Sequence, residues 1–64
     1  MDDDAQDLIA QLCTRIEMIM EDMSPVALSV GAMNKIARRA AIAELSAAAA
    51  KISALSEASE ALVR

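Results

Sequence analysis

Lys35, Arg38 and Arg39 form the one basic cluster in a chain with six basic residues, ten acidic residues and no histidine. Cations this close on one helix could hold phosphate groups, which is the chemistry of a small helical nucleic-acid-binding regulator. Two features of the composition oppose that use. A net charge of −4 repels polyanions. With no Phe, Trp or Tyr, no side chain can stack on a base. The plainer expectation is a solvated face whose charges pair with acids of a neighbouring helix, such as Glu17 and Glu21. The cluster therefore stands as the candidate polyanion contact of an alternative function.

Other residues that could do chemistry have structural explanations. Cys13 is the single cysteine. It could be a redox thiol or form an interchain disulfide, but no His or Lys lies beside it to favour the thiolate. A small buried apolar residue is the expectation. Asp2, Asp3, Asp4 and Asp7 lack the glycine and distal glutamate of a calcium loop. They suit a helix N-terminus, with Asp3 and Gln6 spaced as a capping box. Met18, Met20, Met23 and Met33 are expected around a turn, as core filler or as an adaptable contact surface, with Met18 pointing outward. There is no P-loop, GxSxG, HExxH or dinucleotide fingerprint. Leu12, Arg15, Ile16 and Ile19 resemble part of the first helix of the small helical chorismate mutases. The third helix of that fold has no counterpart here, and no further catalytic residue can be matched. No enzyme, metal or cofactor is expected.

The elements that carry these residues are helices. Alanine dominates, and glycine and proline occur once each. In the first helix Ala5, Ile9, Leu12, Ile16, Ile19 and Met23 are spaced 4, 3, 4, 3, 4, a heptad seam of the coiled-coil kind. Ser24-Pro25 reads as a break, because proline disfavours helix at the preceding residue and suits the first position of a new one. A second stripe runs Val26, Val30, Met33, Ala37, Ala41, Leu45, Ala48, Ile52, Leu55, Ser59, Leu62. Its consecutive fours between Met33 and Leu45 act as a stutter, and its alanines at 37, 41 and 48 permit close helix approach. The expected elements are helix 1 over about 4–22, a break at 23–25 and helix 2 over about 25–62; continuity through Gly31 is favoured, the alternative being a short helical turn over Pro25–Val30 that ends at Gly31, with the main helix starting near Ala32. Residues near Ile16 would then meet residues near Met33 and Ala37.

The fold class expected is all-α: residues 1–64 as one domain, an antiparallel hairpin of a short and a long helix. A chain of 64 residues builds a marginal core. One cysteine and no histidine remove the disulfide and the commonest zinc ligand as remedies. Association remains, into a helical-bundle dimer or higher oligomer. A short helix 1 would leave Leu45, Ile52, Leu55 and Leu62 as the oligomer interface. The acidic start argues against a secretory signal, and no long uncharged span suits a membrane. The function expected is a non-catalytic, self-associating cytoplasmic protein: an interaction or regulatory module whose partner is itself, with room for another protein and with nucleic acid disfavoured. The alanine-rich composition suggests a bacterial source.

Overall fold

The computed structural model describes residues 2–63, the side chains of Asp2 and Asp3 excepted, so the Asp3–Gln6 capping box lies outside the described residues. Two helices, α1 (Asp2–Ser29) and α2 (Lys35–Val63), are joined by a 3-10 turn at Val30–Ala32. They fold back on each other into an antiparallel hairpin 51 Å long. No strand occurs among the described residues.

The corner of the hairpin is at residues 30–34, and not at 23–25. Pro25 lies inside α1. Its ring removes the N–H that would bond to the carbonyl of Glu21. Pro25 and Glu21 are both exposed, so water can serve that carbonyl. The apolar pattern also favours continuation. Val26 and Val30 extend the seam of α1 by a further 3 and 4, and both are half-buried. Stopping at Ser24 would strip two apolar contacts from the seam. The burial gained outweighs the local cost of the proline.

The chain reverses at residues 30–34, where the run of consecutive fours in the apolar stripe begins. Ser29 is still helical, at φ −90° and ψ −12°, whereas Met33 is extended, at φ −81° and ψ 152°. Gly31 has no positive φ, so the turn does not call on its conformational freedom. Asn34 then opens α2. Its Oδ1 accepts from the Ala37 N–H at 2.8 Å and its backbone carbonyl accepts from the Arg38 N–H at 2.8 Å. This is N-cap geometry, with the side-chain oxygen satisfying an N–H of the first turn.

Two consequences correct the sequence-based picture. First, α1 has 28 residues and α2 has 29, so α1 covers α2 along its whole length and leaves no bare half. Second, the pairing register differs. Ile16 shares a groove with Ser56 and Ser59, and Ile19 shares one with Ala47 and Ala48. Met33 and Ala37 belong to the other end of the molecule.

Packing along the seam is shallow. Ala41 and Ala48, at 5% and 9% exposure, are the only buried residues among those described. The leucines and isoleucines of the seam are half-buried, because two helices alone cannot surround a side chain. The chain exposes 5019 Å², about 1,100 Å² more than a compact protein of this mass. Its radius of gyration is 15.1 Å, against about 11 Å for a compact domain of this length.

Candidate functional site

Heptad spacing gives the hairpin two long grooves, one on either side of the seam, and they differ in chemistry. On the first, Ile9, Cys13 and Ile16 lie across from Ser56, Ser59 and Val63. Farther along, Met20, Met23 and Ala27 lie across from Leu45, Ala49 and Ile52. Glu60, at the rim, is the one charged residue lining either stretch. On the second groove, Arg15, Met18, Asp22, Lys51 and Leu55 come together, and Glu44 joins Asp22 and Lys51. The first is termed the Met20 face and the second the Lys51 face. The helical wheel explains the difference. Cys13, Met20 and Ala27 recur every seven residues on one flank of α1, and Arg15 and Asp22 do so on the other.

Leu45, Ile52, Leu55 and Leu62 are all half-buried along the α1–α2 seam. They were expected between chains because a short helix 1 cannot reach them, and that reason does not hold for a helix of 28 residues. Leu55 sits beside Arg15, Met18 and Ile19 of its own chain. The exposed apolar side chains are different ones: Leu8, Met18, Met20, Leu28, Ile36, Ile42 and Val63. Sequence reasoning assigned no contact role to Ile42 or Val63, although their sevenfold spacing with Ala49 and Ser56 was visible. Cys13 is exposed and free, not the small buried residue expected. Met18 does point outward, at 57% exposure. Of the four methionines, only Met33 is at the turn; Met23 packs along the helices against Ala48.

The basic cluster is divided between two tasks. Arg38 turns back onto the end of α1: its Nε donates to the Val30 carbonyl at 3.3 Å, and its Nη2 donates to the Met33 carbonyl at 3.0 Å. A further, longer contact from Nη2 reaches the Gly31 carbonyl at 3.5 Å. The Val30 carbonyl, which also accepts from the Met33 N–H at 3.2 Å, lies at the negative end of the helix, where a guanidinium is favoured. Lys35 and Arg39 remain on the outer side of α2 and share an open groove with Ile36, Ala40 and Ala43. Glu17 and Glu21 do not pair with them. The register sets Glu21 level with the middle of α2 and Glu17 beyond it, about three to five helical turns from the cluster.

Replacing Arg38 tests its role in the turn. Arg38→Ala should cost about 1 kcal/mol, since the contacts are charge-assisted but exposed. Arg38→Lys should recover little of it, because an ammonium cannot span the same fork of carbonyls. Arg39→Ala should cost no more than about 0.5 kcal/mol, because its exposed guanidinium makes no such contact with the turn. Chemical denaturation of the three variants is the check, and equal losses at positions 38 and 39 would remove Arg38 from the turn.

Among the described residues no group of three His, Cys, Asp or Glu side chains could hold a metal. No helix there is long and apolar enough to cross a membrane. Compared with protein-family models, curated proteins and solved structures, the chain matches none. What the geometry defines is a class: an all-α antiparallel hairpin with a groove along one side whose lining carries a single charge, Glu60.

Proposed function

We propose that this chain is a self-associating subunit of a helical bundle and acts as a non-catalytic interaction module. One observation carries the reading: the seam is unfinished. Every leucine and isoleucine in it keeps part of its surface in water, and among the described residues only two alanines are buried. The surface in excess of a compact fold, about 1,100 Å² per chain, exceeds the roughly 800 Å² per partner that a standard protein–protein interface buries. No disulfide or histidine-built zinc site offers another way to close so small a core. Cytoplasmic and bacterial origin remain part of the proposal.

Sedimentation equilibrium tests it directly. The mass should be at least twice the 6.7 kDa of the chain at micromolar concentration. A monomer mass across the accessible range would overturn the proposal. The nucleic-acid alternative is weaker because Arg38 is spent on the turn, which leaves Lys35 and Arg39 alone on that surface. Titration with duplex DNA and with single-stranded RNA at low salt should give no shift that salt removes. A salt-sensitive shift abolished by replacing Lys35 and Arg39 would favour the alternative.

A further inference from the structure

We infer that the Met20 face is where a second copy of this chain docks, and that the two hairpins lie with their turns at opposite ends. The inference rests on the self-association proposed above and specifies its surface.

The face qualifies on chemistry. Cys13, Met20 and Ala27 on α1 and Ile42, Ala49 and Val63 on α2 are all exposed and uncharged. Behind them lie the half-buried seam residues of the same groove, Ile16 and Ile52 among them. The result is a mainly apolar strip that runs from Ile42 to Val63 on α2, carries the hydroxyls of Ser56 and Ser59, and ends before Lys35, which continues the same sevenfold spacing. Covering it would give each helix the wide apolar stripe of a bundle member. The Lys51 face cannot offer this, because Arg15, Asp22, Glu44 and Lys51 stand along it and would have to be desolvated. The unfinished area per chain matches what one such contact buries.

A second copy is favoured as occupant because the strip is complementary to itself. A two-fold axis across the middle of α2 lays α2 antiparallel on its counterpart. Ala49 sits at the midpoint of Lys35–Val63, so the helices would cross where both are small. Arg39 and Glu60 border the strip on the same flank of α2, ten residues before and eleven residues after Ala49. The axis therefore brings each arginine level with the partner's glutamate, twice in the dimer. Met20 is level with Ala49 across the groove, so the same axis would bring the two Met20 side chains together beside the two Ala49 residues, adaptable filler next to the close backbone approach. Hairpins docked with their turns at the same end would bring α1 over α2, and Arg39 and Glu60 would find no charged counterparts.

Two substitutions and one distance test the inference in the full chain. Ala49→Glu places a charge at the centre of the strip, where the isolated hairpin is exposed and can accept it. In sedimentation equilibrium it should weaken association ~100-fold or more. Ala58→Glu, on the flank of α2 that borders the Lys51 face, should leave association within about threefold of wild type. Spin labels at Lys35→Cys in a Cys13→Ala background should lie about 40 Å apart in the dimer, twice the rise from residue 35 to 49. A wild-type chain that never associates would defeat the underlying reading. Association that survives Ala49→Glu, or fails with Ala58→Glu, would overturn the choice of face while leaving self-association intact. Labels within about 20 Å would overturn the opposite-end arrangement.

Discussion

Replacing Pro25 by alanine should raise the stability of this protein by about 2–3 kcal/mol, which for a chain of this size is roughly 10–20 °C in Tm. The expectation follows from where the proline lies. In the middle of α1 it removes one helical hydrogen bond and crowds the carbonyl of Glu21. Alanine would restore the bond and has the higher helix propensity. Neither Pro25 nor Glu21 is buried, so the new side chain disturbs no packing. The sign of the effect discriminates between architectures. Had Pro25 begun a new helix behind an N-capping Ser24, the substitution would lose a pre-set φ and lower stability. Thermal unfolding of Pro25→Ala against wild type at matched concentration decides it, and a lowered Tm would place the break back at Ser24.

Another large effect is expected at Ala48. This residue and Ala41 are the two buried residues among those described, at 9% and 5% exposure. Leucine at position 48 would insert three further carbons into that buried position, and overpacking of this kind costs about 1–3 kcal/mol. Part of the strain would be relieved by spreading the helices, which would also loosen the half-buried Leu45 and Ile52 beside it. Ala50→Leu, at an exposed position of the same helix, should change stability by less than about 0.5 kcal/mol. Urea denaturation of both variants is the measurement. Equal behaviour at positions 48 and 50 would show that the helices do not meet through the alanine stripe.

The heptad spacing carried most of the fold. The seam from Ala5 to Met23 and the stripe from Ala41 to Leu62 are the two surfaces that meet, and the alanines at 41 and 48 are buried. The position of the turn was not legible because one strong local signal outweighed a weaker periodic one. Pro25 is the commonest kind of helix breaker, yet the spacing of 3 and 4 continues through Val26 and Val30 in phase with α1. The regular pattern fails only between Met33 and Leu45, where the consecutive fours suggested a stutter within one helix. They mark the reversal. Ala37, included in that stripe, is exposed.

The position of the turn also decides which surface is left open. A short α1 would leave the distal half of α2 uncovered and available as an interface. With helices of 28 and 29 residues, what remains unpaired is the side of the hairpin, not its end. The residues that line it were legible: Cys13, Met20 and Ala27 recur every seven positions, as do Ile42, Ala49, Ser56 and Val63. Their meaning was not, because a flank of a single helix becomes a shared face only when the register is known. Arg38 shows the same limit. Composition groups it with Lys35 and Arg39, but a corner at residues 30–34 sets its guanidinium beside the carbonyls of Val30 and Met33.

The central claim is that the hairpin is completed by association, and the concentration dependence of unfolding tests it most directly. Folding linked to assembly becomes harder to reverse as protein concentration rises. Thermal unfolding followed by circular dichroism at 222 nm, from ~1 to ~100 μM, should show a midpoint that climbs by on the order of 10 °C over the hundredfold range. A midpoint constant across that range would contradict the account and leave a hairpin that folds alone.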